Sequence, residues 1–208
     1  FSPAGILHFY KTEKDLKHAR MVNGLLAEGG LDRHELSVDE VMAREPTLRG
    51  DIIGGFWTES DSTGDIHKFT MGLAEWLKKQ GVVFKLGKPV TDLHVRADGV
   101  YVECSHEERY DGVVVSAGVA SRKFASMLGD RVNIYPVKGY SITVNLDDAA
   151  SQAAAPTTSL LDDKAKIVSS RLGKNRLRIA GTAEFNGENR DILERRVRPL
   201  IRWCEEHF

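Results

Sequence analysis

The stretch DSTGDIHKFTMGLAEWLKKQGVVFKLG, residues 61–87, constrains the fold most, because it sets the start, face and end of one helix and leads straight into an apolar run. Asp65 is a ready N-cap, and Phe69, Leu73 and Leu77 recur at helical spacing beside Ala74. Lys78 and Lys79 suit the negative end of the helix, and Gly81 falls where a helix usually terminates. Val82-Val83-Phe84 follows at once and is expected as a strand. A helix feeding a short buried strand is one half of a βαβ unit.

Around this unit the chain alternates differently. GILHFY (5–10) reads as a strand. EKDLKHARMVNGLLAEGG (13–30) reads as a helix with Leu16, Ala19, Val22 and Leu26 on one stripe and Gly29-Gly30 as its stop. SVDEVMAREPTL opens with a capping box, Ser37 to Glu40, and its short helix should stop near Pro46. IIGGFWTE is a further strand. VTDLHV and VYVECS are joined by Ala97-Asp98-Gly99, a hairpin turn, and YDGVVVSAG is apolar enough for the interior of a parallel sheet. A strand alternating from Tyr140 lies within IYPVKGYSITVNL, and DDAASQAAAPTT (147–158) reads as a surface loop. A hairpin turned at Gly173-Lys174-Asn175 and a final helix from about residue 190 complete the chain. Strands and helices, an α/β piece and strands again imply two domains, with the chain passing from one to the other and back.

Composition removes several function classes. With a net charge of −1, the chain offers no electrostatic case for nucleic acid. No apolar run approaches the roughly 20 residues a membrane helix needs. FSPAGILHFY lacks the basic and long apolar regions of a secretory signal, and the lone Cys104 and Cys204 suit a reducing compartment. A cytoplasmic protein is expected, or one peripheral on the inner face of the cell membrane. Seven scattered histidines show no ligand spacing, so no metal is expected. The start at Phe1 and the end inside a helix read as an excerpt of a longer chain.

Chemistry centres on YDGVVVSAGVAS (110–121), where an apolar run ends in Ser116, Ala117 and Gly118. Ligands of open α/β sheets bind beyond strand ends, and small residues there let a cofactor touch backbone. The alternative is a tight turn with Ser121 capping the next helix. No G-x-G-x-x-G phosphate cradle occurs in the 208 residues. Alternation puts Arg176 and Arg178 on one strand face, opposite Leu177 and Ile179. They are either solvated arginines or a guanidinium fork for a carboxylate. His67 has no partner in sequence and reads as a capping or packing residue rather than a catalytic one.

Taken in order, DSTGDIHKFT, YDGVVVSAGVAS, YPVKGYSITV and LDDKAKIVSSRLGKNRLRIAGTAEFNG resemble the FAD-dependent D-amino-acid oxidase superfamily, in its bacterial D-amino-acid dehydrogenase branch. The resemblance implies a partial two-domain FAD-linked reductase fold of mixed α+β and α/β type. Residues 1–62 and 134–208 would form a substrate domain with a mixed, largely antiparallel sheet, and residues 63–133 the later part of a Rossmann-like FAD domain. It implies that Val90 meets the adenine and that Ser116, Ala117 and Gly118 pack against FAD. Tyr140, Arg171, Arg178 and Glu184 would line the substrate, with Arg176 and Lys138 ambiguous neighbours; no side chain is an evident catalytic base. The implied reaction oxidises a D-amino acid to a 2-oxo acid and ammonia, with electrons going to a quinone-type acceptor of an electron-transfer chain. A glycine- or sarcosine-type amine oxidase, and a cofactor-free α+β binding module, are the alternatives. The family's carboxylate-binding arginine and its glycine fingerprint lie outside these residues, so FAD is not expected to be retained by them alone.

Overall fold

A computed structural model of the chain describes residues 3–208; Phe1 and Ser2, at the edge of the first expected domain, lie outside the described residues. In order, the elements are β1 (Ile6–Tyr10), α1 (Glu13–Glu28), β2 (His34–Leu36), α2 (Val38–Arg44), β3 (Gly54–Thr58), α3 (Ile66–Lys79), β4 (Asp92–Arg96), β5 (Gly99–Glu103) and β6 (Glu107–Tyr110). There follow α4 (Ser121–Met127), β7 (Lys138–Asn145), α5 (Ala149–Ala154), β8 (Ser159–Asp162), β9 (Ile167–Arg171), β10 (Arg176–Glu184) and α6 (Glu194–His207). They divide into two compact units. The larger holds the residues up to Thr70 with Lys138–Glu184 and Arg190–Phe208, and the smaller holds Met71–Val137 with Phe185–Asn189.

The larger unit is built on a seven-stranded mixed sheet in the order β2-β3-β1-β8-β9-β10-β7. Only β1 and β8 run parallel; the other neighbours are antiparallel. One sheet face is sealed by apolar side chains: Leu7, Phe9, Leu160, Leu177 and Ile179 pack with Val41 of α2 and with Leu200 and Trp203 of α6. Burying a side chain of this kind is worth about 1.5–3 kcal/mol, so this face supplies most of the unit's cohesion. The opposite face carries a smaller cluster, Tyr10, Leu16, Ala19 and Phe56, where α1 covers β1 and β3. The pattern of β10 follows from its sequence: Arg176 and Arg178 are exposed while Leu177 and Ile179 are buried.

Local signals explain the helix ends. Ser37 and Glu40 form the reciprocal capping box of α2. Asp65 accepts from the backbone N–H groups of His67 and Lys68 at the start of α3. At the other end the Gly81 and Val82 amides return to Lys78 and Leu77 carbonyls, with Gly81 at φ +89°.

Four expectations are corrected. Val82–Phe84 forms no strand, and its side chains are exposed. YDGVVVSAG divides: Tyr110 ends β6, while Val113–Ser116 pairs with no strand among the described residues, and Val114 is 90% exposed. Apolar composition states a preference for burial, but a ladder also needs a neighbour to bond. The apolar stripe of α3 is likewise uncovered, since Phe69 and Leu73 are exposed. The expected loop 147–158 contains α5, capped by Asp148 and Ser151, and its end is buried at Ala155 and Thr158. Alanine's helix propensity, given a cap, outweighs the low complexity.

Candidate functional site

Two surfaces gather the candidate residues, one in each unit. In the smaller unit, β4, β5 and β6 form an antiparallel sheet, with the expected hairpin between Arg96 and Gly99. Val90 stands just before β4. Together with Leu93, Val102, Phe124 and the run Val113–Ala117, it lines an apolar cleft of about 430 Å³. The structure thus brings Val90, Ser116 and Ala117 to one place, although the first two stand 26 positions apart in sequence. Gly118 follows at φ +56° and opens a 3-10 turn, Gly118–Ala120. An ideal Cβ on Gly118 would meet no atom within 4 Å. Its glycine therefore answers to a left-handed backbone rather than to crowding by the protein. Ser121 does not cap α4 through its side chain; its hydroxyl accepts the Ala117 N–H at 3.1 Å, which fixes the turn at the mouth of the cleft.

In the larger unit the four substrate candidates fall on opposite faces of the sheet. Arg178 lies on the face away from α6, where its Nη2 donates to Ser141 Oγ at 2.9 Å. Register places Thr143 and Ser170 opposite Arg178 on β7 and β9. Ser170 accepts from Ser159, and Ser159 meets Thr63, so a lane of hydroxyls runs across this face. Sequence reading missed these five hydroxyl residues. The hairpin turn at Gly173–Asn175 was the signal that could have aligned Ser170 with Arg178. Arg176 sits at the edge of the same face, 2.8 Å from Asp65, so the cap of α3 also anchors β10. His67 is exposed and contributes its backbone N–H to Asp65.

Tyr140 and Glu184 are buried on the α6 side, 7% and 5% exposed, which shows that their polar groups must find partners inside the protein. The Tyr140 hydroxyl donates to Glu184 Oε2 at 2.7 Å, and Lys138 Nζ lies 3.2 Å from the same oxygen. The Tyr140 bond and the lysine hold the Glu184 carboxyl below the usual range. A bulge puts Glu184 there: the β10–β7 register shifts between Gly181 and Ala183, with Thr182 at φ +50°. Arg171 is spent on backbone, donating to the carbonyls of Gln152, Ala155 and Lys174. It holds the end of α5 against β9.

At the carboxyl end of β1 a third polar group forms. Asp163 Oδ2 accepts from Tyr10 at 2.7 Å and lies 3.1 Å from His8 Nδ1. These bonds, His8's foremost, pull the Asp163 carboxyl down to about 2 from an ordinary 3.8, while burial and Asp163 push the Tyr10 phenol up. Between those two pH values the unfolded chain takes up a proton that the native state does not, so stability falls as pH drops through that window. Asp163→Asn should cost stability at neutral pH and flatten the loss between about pH 4 and pH 2. Urea unfolding at several pH values reads this out; parallel acid limbs in both proteins would refute it.

Asp92, His94 and Glu103 on β4 and β5 bring potential ligand atoms within 4.8 Å of one another. These groups are largely solvated, and no metal role is drawn from them. No helix among the described residues is long and apolar enough to cross a membrane.

A D-amino acid dehydrogenase 3 of Mesorhizobium japonicum is 52% identical over 98% of this chain and 50% of its own length. A D-amino acid dehydrogenase of Dechloromonas aromatica is 42% identical over 95% and 49%. The chain spans about half the length of the curated relatives it matches. Among solved structures, glycine oxidase from Geobacillus kaustophilus superposes with a TM-score of 0.87 at 17% identity, over 99% of this chain and 54% of that one. L-proline dehydrogenase from P. horikoshii gives 0.83 at 12%, over 99% and 56%. These two likenesses establish the fold: a mixed α/β architecture shared with amino-acid-oxidising enzymes. The profile of the FAD dependent oxidoreductase family, DAO, matches residues 1–208, and the chain belongs to that family.

Proposed function

We propose that this chain is part of an enzyme that oxidatively deaminates D-amino acids to 2-oxo acids and ammonia, with FAD as cofactor and a quinone-type acceptor for the electrons. The observation that carries the reading is the 52% identity, spread over 98% of the chain, to a protein named as a D-amino acid dehydrogenase. The smaller unit offers a fitting cofactor surface: an apolar cleft of about 430 Å³ beside a turn whose glycine leaves open space. Val90, Ser116, Ala117 and Gly118 are the residues that would hold the adenine side of the cofactor. When bound, FAD supplies the two-electron acceptor that none of the side chains here can provide.

The protein's part is to bind and orient. Arg178 is the candidate for the substrate carboxylate, since it is exposed on the face away from α6 and a guanidinium can grip both oxygens. Tyr140, Arg171 and Glu184 serve that surface from the other side, keeping β7, β9 and β10 in register under α6 and against α5. Water supplies the oxygen of the 2-oxo acid, and the amino nitrogen leaves as ammonia. The 208 residues contain no glycine cradle for the pyrophosphate, so they are expected to hold FAD weakly by themselves.

The test is turnover by the whole enzyme on paired D- and L-amino acids, with an artificial dye as acceptor or with dissolved oxygen. Dye reduction with D-amino acids alone is the expected result. Oxygen consumption with glycine or sarcosine would instead favour an amine oxidase. A colourless protein inactive with every substrate would favour a binding module.

A further inference from the structure

Arg176 and Arg178 stand exposed on one face of β10, about 7 Å of strand apart, yet the fold treats them differently. Arg178 donates to a neutral hydroxyl, Ser141 Oγ, and no carboxylate among the described residues forms an ion pair with it. Arg176 Nη2 donates to Asp65 Oδ2 at 2.8 Å, across 111 residues of sequence. Asp65 is not a loose surface acid. Its side chain is 16% exposed, and its Oδ1 accepts the backbone N–H groups of His67 and Lys68 at 3.1 and 3.2 Å. The Lys68 amide foremost, with Arg176, holds its carboxyl below the usual range, so the pair is ionised at neutral pH. Both residues belong to the larger unit. The second guanidinium of this face is therefore met by an anion that the start of α3 fixes in place, rather than by one free to swing into water.

We propose that Asp65 determines specificity: by occupying Arg176 it leaves Arg178 as the one open guanidinium of β10, which confines the substrate to D-amino acids with a single carboxylate. The inference rests on the reading of Arg178 as the anchor of the substrate carboxylate, and adds a substrate class to it. D-Aspartate or D-glutamate held at Arg178 brings a second carboxylate, and two residues of strand is a spacing the ends of such a diacid can bridge. At the Arg176 end that carboxylate finds no open cation, and Asp65 repels it. Asp65 is already bonded on both oxygens and tied to the chain, so an anion arriving from water does not displace it. An uncharged substrate side chain meets no such repulsion.

The experiment compares kcat/KM of the whole enzyme for D-aspartate and D-glutamate with that for D-alanine, in the parent and in Asp65→Asn. Asparagine keeps a side-chain oxygen for the His67 and Lys68 amides and removes the charge. The ratio of acidic substrate to D-alanine is expected to rise about tenfold, a quantity that a change in folded fraction leaves unmoved. A ratio equal to the parent's, whatever the absolute rates, overturns the proposal and leaves Asp65 as a helix cap alone. So does a parent that oxidises D-aspartate as readily as D-alanine. Arg178→Lys separates that failure from failure of the underlying reading: a KM for D-alanine raised about tenfold supports the anchor, and an unchanged KM removes it and the proposal together. Should Asp65→Asn lose its fold, Arg176→Gln frees the Asp65 carboxylate instead. The ratio of D-lysine to D-alanine then rises about tenfold, and a ratio equal to the parent's refutes the proposal.

Discussion

Replacing Glu45 with alanine is expected to cost about 3–5 kcal/mol, a large share of the 5–15 kcal/mol that holds a typical domain together. Glu45 is 1% exposed at the end of α2, yet no cation among the described residues forms an ion pair with it. Its carboxylate is met by hydrogen-bond donors instead. Oε2 accepts from the Thr157 and Thr158 backbone N–H groups at 2.9 and 3.0 Å and from the Thr157 hydroxyl at 3.3 Å. Oε1 accepts from the Thr47 hydroxyl at 2.6 Å. This side chain therefore ties α2 to the segment that follows α5, across more than 100 residues of sequence. Alanine removes the acceptors and leaves the Thr158 amide without a partner in a buried segment, which is the costly half of breaking a hydrogen bond. Glu45→Gln keeps a carbonyl that can face the two amides while its NH2 turns to Thr47. It should lose only about 1–2 kcal/mol. Urea midpoints at constant slope separate the two variants. Equal losses would mean that Glu45 contributes packing rather than its oxygens.

Glu45 also shows which features a sequence exposes and which it hides. Helices with caps were legible: Asp65, the Ser37–Glu40 box and Gly81 each act within four residues of the end they mark. The Gly173–Asn175 hairpin and the two faces of Arg176 to Ile179 were legible for the same reason, because a turn and a two-residue period are local. The short β8 was not. Ser159–Asp162 lies between the adjacent β9, which it pairs antiparallel, and β1, which it pairs parallel from about 150 residues away, and nothing in four residues announces the second partner. Val113–Ser116 failed in the opposite sense, having strand composition and no strand to pair with among the described residues.

For the candidate site the obstacle was parity. Strict alternation from Arg178 would carry Glu184 to the same face, whereas its place among the substrate candidates came from the family resemblance. The bulge at Thr182 adds one residue, sends Glu184 to the α6 side and pairs it with Tyr140. A non-glycine residue at positive φ is held there by tertiary contacts, here the Thr182 hydroxyl on the Arg196 carbonyl, and leaves no sequence signature. Val90 came from a family resemblance alone, while Ala117 was also marked by the small residues that end its apolar run. Their meeting in one cleft is a fact of the folded chain.

That meeting sets up the largest functional effect. In the whole enzyme, Ala117→Glu is expected to lower FAD affinity by about 3–4 kcal/mol, on the order of several hundredfold, and to abolish dye reduction with D-amino acids. Ala117 is exposed at the edge of the apolar cleft, between Ser116 and the left-handed Gly118. Its side chain packs under nothing, so a glutamate is tolerated by the fold and its charge stays in water. Binding a cofactor there would strip that water from the carboxylate and press it against an anionic dinucleotide, which adds a desolvation cost to a repulsion. Ala117→Ser, small and uncharged, should bind nearly as the parent does. The decisive readouts are the flavin-to-protein absorbance ratio of the purified enzyme and the melting temperature of its apo form. Loss of flavin with an unchanged apo melting temperature places the cofactor at this turn. Full flavin content in Ala117→Glu would move the cofactor elsewhere and leave the Val90–Ala117 cleft as an ordinary gap in the surface.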